Sequence, residues 1–357
     1  MLNRIRKLQN ILKKESLDLL LATSLPNVRY LSGYTGTNGL ILVSLNGSLF
    51  LTDFRYKEQA RQQVKYLKVV IVERELILSL PTLSLLKPKR VKLGFESNHL
   101  NCGTYRKLKN LLPNCLLVPT ENIIESLSVK KEQNEIDRIK KAVSITDQVF
   151  YEILDLVKPQ VKEQDIAAEI EYRFKKYGSS APFFETIVSS GKRSALPHGV
   201  ASSKKIEKGD LVTLDMGAVY DGYTADLTRT VVVGKANKLQ KKVYNIVLKA
   251  QKEALSKVKP KIKACDLDKV ARDVIKRAGY GKYFGHGLGH GIGAVIHEGP
   301  AINPRNQQLL DAGMVITIEP GIYIPNWGGV RIEDDVVITK KGCEVLTKAE
   351  KNLIELC

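Results

Sequence analysis

The segment DLVTLDMGAVYDGYTADLTRTVVVG, residues 210–234, constrains the fold of this chain more than any other stretch. Asp221-Gly222 lies between two apolar runs, and an Asp-Gly pair in that setting makes a two-residue hairpin turn, since both central residues must adopt positive φ. With these two as the turn, Tyr220 faces Tyr223, Asp226 faces Gly217 and Asp215 faces Thr228. Side chains alternate along a strand, so Asp215, Gly217, Asp226 and Thr228 share one face. The two aspartates become diagonal neighbours, roughly 7–8 Å apart at Cβ. On a half-buried apolar ladder, two such carboxylates repel each other unless a cation lies between them.

A second strand–turn–strand follows in GMVITIEPGIYIPNWGGVRIEDDVVIT, residues 313–339. A five-residue loop at 325–329 pairs Ile324 with Val330 and leaves Glu319 and Glu333 diagonal on one face; a four-residue loop turns one of them away. Just before it, YFGHGLGHGIGAVIHEGP (283–300) holds three of the five histidines, His286, His290 and His297, among six glycines. Glycines at 285, 287, 289, 291 and 293 let backbone pass close to a metal or substrate without Cβ clashes. Two Asp, two Glu and a histidine can hold two divalent ions about 3.5–4 Å apart, bridged by carboxylates and a water or hydroxide. Oxygen-rich ligation with one imidazole suits Mn, Co or Zn rather than a thiolate zinc site. Any one of these acids alone reads as a surface residue. Four of them pairing in two successive hairpins beside a histidine cluster do not.

The 357 residues are long for one core, so two domains are expected. Residues 1–120 alternate helical and strand patterns: a helix near 3–15, strands at 18–22, 39–44 and 47–53, a helix at 55–65, and strands at 67–73 and 91–96. That alternation predicts a small α/β domain. Turn and charged residues at 119–131 mark a boundary, placed between 122 and 123. Helices are then predicted at 132–157, 161–176 and 238–256 from apolar residues spaced three and four apart. Cys102, Cys115, Cys265, Cys343 and Cys357 are odd in number and widely spaced, which fits a reducing cytoplasm and no disulfide framework. No apolar run approaches the ~20 residues that span a bilayer, and the basic N-terminus lacks a signal-peptide core. The net charge of +18 is spread along helical faces without the aromatic interleaving that stacks bases, so no nucleic-acid partner and no membrane is expected.

The runs LDMGAVYDGYTADLTRT, GHGLGHGIG followed by HEGP, TIEPGIYIP and GGVRIEDDVVIT, with SSGKRSALPHG (189–199) upstream, together resemble the aminopeptidase P and prolidase family. The resemblance covers most of 125–350. LLLATSLPNVRYLSGYTG and LFLTDFRY resemble the family's smaller creatinase-like domain. It implies an α+β chain: a creatinase-like α/β domain over 1–122, then a pita-bread catalytic domain over 123–357. It also implies two divalent metal ions, manganese foremost with cobalt or zinc as alternatives. Asp215, Asp226, His290, Glu319 and Glu333 match the metal ligands, Asp226 and Glu333 bridging both ions. His198, His286, His297 and Arg331 match substrate-contacting and supporting residues, with His198, His297, Glu319 and Arg331 in catalytic roles.

The activity so implied is hydrolysis of the bond before proline in peptides or dipeptides by a cytoplasmic homodimer. The metals acidify a bridging water, its hydroxide attacks the carbonyl, Glu319 shuttles a proton to the prolyl nitrogen, and His297 helps stabilise the oxyanion. Whether dipeptides (prolidase) or longer chains (aminopeptidase P) are preferred is open from these motifs. Two other readings stand beside it: a methionine aminopeptidase, which shares the ligand set, and a noncatalytic binding protein on the same fold using its basic surface. The complete set of ligands argues against the latter. GHGLGHGIG is not a dinucleotide loop, because no glycine in it has glycines at both +2 and +5. His99 reads as structural or solvated, and Asp53, Arg55 and Tyr56 as support for the N-terminal fold or an oligomer interface.

Overall fold

The computed structural model describes residues 1–357 apart from 74, 89 and 181–183. The chain divides into two compact units, Met1–Ser128 and Val129–Cys357. The division falls after the helix Ile123–Ser128 rather than before it, so the expected 122/123 boundary moves to the end of that helix. The cause is apolar: Ile124 is buried in the core of the first unit, and Ile123 and Leu127 pack against it.

The first unit is a six-stranded mixed sheet in the order Lys68–Val72, Ser48–Asp53, Leu40–Ser44, Leu19–Ala22, Val91–Glu96, Cys115–Thr120. Leu20 and Ala22 of the central strand face a core shared with the helix Leu2–Lys14, while Leu19 and Leu21 face one shared with Leu108 of the helix Cys102–Leu111. A strand covered on both faces reads as a continuous apolar run, which is why LLLA was legible as one. The helices Leu25–Ser32 and Cys102–Leu111 and the strand Cys115–Thr120 were not predicted.

The second unit is built round the two hairpins. Leu211–Met216 pairs antiparallel with Leu227–Val233 in the expected register: Thr228 faces Asp215, and Tyr223 faces Tyr220 beyond the break. Val315–Ile318 pairs with Asp334–Ile338, and Gly321–Ile324 with Gly328–Arg331. The second turn is three residues, 325–327, not five, since Ile324 pairs with Gly328. Continuing either ladder sets Glu319 directly opposite Glu333 rather than diagonal to it.

Regular strand pairing lapses at 217–218 with 225–226, beside Asp226, and at 319–320 with 332–333, at Glu319 and Glu333, while Asp215 stays on its ladder. The freed backbone groups bond across from one hairpin to the other. Glu333 N–H donates to Thr228 O (3.1 Å), and Asp226 N–H to Asp335 Oδ2 (2.9 Å). Arg229, fully buried, donates to the Thr228, Glu333, Ala349 and Glu350 carbonyls and ion-pairs with Asp334 (2.8 Å). Helices back this centre on opposite sides. Gln133–Leu154 and Glu163–Lys176 pack in one core with Val212 and Leu214, and Lys238–Lys257 and Ala264–Arg277 in another with Ile316 and Ile318. The last of these helices was not predicted, although Ala264, Leu267, Ala271, Val274 and Ile275 are spaced for it.

Candidate active site

Asp215, Asp226, His290, Glu319 and Glu333 all line one cavity of about 380 Å³, and His198, His286, His297 and Arg331 line it with them. Every residue singled out from the sequence for the site therefore meets in one place. Asp226, His290 and Glu333 each offer a ligand atom within 4.8 Å of the others. His290 Nε2 lies 3.6 Å from Asp226 Oδ2 and 3.3 Å from Glu319 Oε1. Its Nδ1 lies 3.1 Å from Gly291 O, a contact that fixes the ring and leaves Nε2 toward the acids.

The acids are held by polar partners that differ from one to the next. Arg331 Nη2 bonds Asp215 Oδ2 at 2.6 Å, so its ion pair is with Asp215 and not with the adjacent Glu333. The same guanidinium donates to Thr228 Oγ1, Tyr323 Oη and Pro197 O. Thr228 then donates to Glu333 Oε2 (2.6 Å), and Thr317 to Glu319 Oε1 (3.2 Å). Asp215 Oδ1 and Glu333 Oε1 are buried with no hydrogen-bond partner. Two orphaned carboxylate oxygens in one cavity are acceptors awaiting a donor or a cation.

Electrostatics say the same. Burial raises the Asp226 and Glu333 carboxyls well above their ordinary range, and the neighbouring acids push them further. Burial takes Glu319 up to about 7, with Arg331 opposing, and raises Asp215 against the same guanidinium. His286 and His290 are driven down to about 4, mainly by burial, so both are neutral at neutral pH. Four desolvated carboxylates cannot all ionise together without positive charge among them. Hard oxygen donors, one neutral imidazole and two free acceptors fit divalent cations.

Gly287 and Gly289 of the glycine-rich run line the cavity, and the run is also pressed against neighbouring backbone. A Cβ on Gly289 would stand 2.1 Å from the Thr317 carbonyl oxygen, and one on Gly291 2.2 Å from the Gly299 carbonyl. The bareness of these two is required by neighbouring backbone, as the three-residue strand Gly289–Gly291 threads between Glu298–Ile302 and Val315–Ile318. Gly285 meets nothing within 4 Å. Of the two other histidines in the run, His286 sits 3.0 Å from Tyr323 Oη, and the His297 ring lies edge-on to His290 at 4.3 Å between centroids.

Sequence reasoning missed several supports. Tyr323 and Thr317 lay inside quoted motifs and alternate with the acids along their strands, which was the available signal. Asp268 and Arg272 carried none: Arg272 donates to the Phe284 and His286 carbonyls, and Leu288 N–H to Asp268 Oδ1, so this helix holds the backbone before His290.

Residues 137–340 match metallopeptidase family M24, and residues 4–128 the creatinase/prolidase N-terminal domain. The chain belongs to the M24 metallopeptidases, a pita-bread α+β catalytic domain preceded by a creatinase-type domain, and is a peptidase. It is 41% identical to the Xaa-Pro dipeptidase of Pyrococcus horikoshii, covering 98% of each chain. Among solved structures it matches the Xaa-Pro dipeptidase from Bacillus anthracis with a TM-score of 0.96 and 42% identity, over 99% of each chain. The X-Pro aminopeptidase from Thermotoga maritima follows at TM-score 0.89 and 38% identity, over 95% of this chain and 97% of that one.

Proposed function

We propose that this chain is a dinuclear-metal Xaa-Pro peptidase that hydrolyses the bond between an N-terminal residue and proline. The observation that carries the reading is the convergence of two hairpins on His290, with Asp215 Oδ1 and Glu333 Oε1 buried and unpartnered. Asp215, Asp226, His290, Glu319 and Glu333 would hold the ions, with Asp226 and Glu333 shared between them. When bound, the ions supply a water acidified toward neutrality and a Lewis acid for the scissile carbonyl.

The chain's own groups do the rest. Glu319 carries a proton to the departing prolyl nitrogen, a role open to a carboxylate that lies in the cavity beside His290. His297, exposed beside His290, faces the carbonyl oxygen as charge develops there. His198 and His286 contact substrate from the cavity wall, and Arg331 holds Asp215 in place from behind. Substrates with proline after the bond suit a dedicated enzyme, because the prolyl nitrogen has no N–H for general proteases to bind.

We extend this reading to manganese as the metal, a cytoplasmic enzyme and a homodimer. The five cysteines are free, and no helix among the described residues is long and apolar enough to cross a membrane. The test is to strip the protein with chelator, restore Mn, Co or Zn separately, and compare cleavage of Ala-Pro with Ala-Pro-Ala. Metal-restored cleavage supports the site, and the preferred length chooses between dipeptidase and aminopeptidase. No cleavage with any metal refutes the reading.

A further inference from the structure

Glu163 opens the helix Glu163–Lys176 and is completely buried, yet it lines no part of the cavity. Its carboxylate accepts five hydrogen bonds. Oε1 takes Ser190 N–H (2.7 Å) and Ser190 Oγ (2.8 Å), and Oε2 takes Arg193 Nε (3.0 Å), Ser202 N–H (3.1 Å) and Ser202 Oγ (2.6 Å). Ser190 ends the strand Ile187–Ser190, whose Ile187 pairs with Asp215. Ser202 lies where the chain returns to the helix start, and there Gln164 N–H donates to Ser202 O (3.0 Å) and Glu163 N–H to Lys204 O (3.0 Å). One carboxylate therefore pins both ends of residues 191–201. Between those ends lies His198, exposed at the cavity wall, and the second hairpin ties the middle of the segment down as well. Pro197 O receives Arg331 Nη1 (3.1 Å), and Ser194 Oγ receives Gly329 N–H (2.9 Å).

We propose that Glu163 is a positioning residue: by clasping Ser190, Arg193 and Ser202 it fixes the loop 191–201 so that His198 faces the substrate cavity. The substrate role of His198 rests on the peptidase reading above; the clasp does not. A carboxylate with every acceptor site used by one loop is suited to this, since each partner removed leaves a buried lone pair unmet.

The test uses the full chain loaded with the metal that restores activity. Glu163→Ala and Glu163→Gln are compared with His198→Ala and the double variants, reading kcat and KM on Ala-Pro and Ala-Pro-Ala, metal content, melting temperature, and tryptic cleavage after the exposed Lys192. Glu163→Ala is expected to lower kcat/KM about 100-fold with metal content unchanged. On the His198→Ala background it should add nothing, because both changes remove one aligned imidazole, whereas independent losses multiply. Glu163→Gln keeps the side-chain volume and covers the case in which the alanine variant does not fold; it should give a smaller loss and the same non-additivity. Cleavage after Lys192 should quicken in both. Losses that multiply, a fall in metal content, or unchanged cleavage would overturn the clasp. Wild-type protein inactive with every metal would instead sink the peptidase reading, leaving Lys192 cleavage to decide the clasp.

Discussion

Removing metal from this protein should make its stability fall as pH rises, and the size of the effect follows from the buried acids. Glu319 moves from an ordinary 4.5 to about 7 in the folded chain. A carboxyl raised on folding keeps its proton in the folded state over a window where the unfolded chain has already released it. Stability is then complete below pH 4.5 and is lost as pH climbs through 7, because the folded state binds more protons across that range. At about 1.4 kcal/mol for each pH unit crossed in that window, Glu319 alone costs about 3 kcal/mol by neutral pH. For a domain the size of Val129–Cys357 that is roughly 6–12 °C of melting temperature. Asp226, Glu333 and Asp215 are raised in the same direction, so the measured loss should exceed that of Glu319 alone. Bound divalent cations favour the ionised carboxylates and should flatten the slope. The assay is melting temperature against pH from 4.5 to 7.5, in chelator and in saturating Mn; the difference between the curves cancels groups away from the site. Glu319→Gln should remove one proton's worth of slope from the chelated curve. A chelated curve that is flat or rising with pH, parallel to the metal-loaded one, would refute the reasoning.

Asp226→Ala should abolish hydrolysis by removing one of the carboxylates proposed to hold the ions; full activity with added Mn would show the site to be misassigned. His297→Ala should lower turnover far more than metal content, because the proposed site gives His297, whose ring stands edge-on to His290, a substrate role and no ion; a collapse of metal occupancy would contradict that. Gly289→Ala would force a methyl against the Thr317 carbonyl, whose strand also carries the Thr317 hydroxyl that bonds His290 N–H. It should cost about 3 kcal/mol or more in unfolding experiments, and an alanine variant as stable as the parent would show that the strand can shift.

What could be read in the sequence depended on how local the cause was. The first hairpin was legible because its register is decided by two adjacent residues, and Asp221 does take the positive φ (45°) that an Asp-Gly turn requires. The second kept its outcome through parity. The expected five-residue loop and the observed three-residue turn are both odd, so Glu319 and Glu333 stay on one face although their offset changes. The difference comes from Asn326, left-handed at φ 63°, and Gly328 at φ 154°, which let the strand resume immediately after the turn. Gly328 and Gly329 read as loop, but their bareness serves packing: a Cβ on Gly329 would meet Ser194 O at 2.2 Å. That contact joins residues far apart in the chain, and no local pattern announces it.

The supports of the site are illegible for the same reason. Glu163 stands at the start of an amphipathic helix, where an acid is favoured by the helix dipole in any protein, so its identity says nothing of its five partners. The cavity-facing acids can be found from strand parity because hairpins are local. The groups that aim the histidines are found only when distant segments are brought together. It follows that substitution at Glu163, which no motif marks, should disturb substrate handling, that substitution at Asp268 or Arg272 should also disturb His290 through the backbone they hold, and that the acids marked by the hairpins should govern metal.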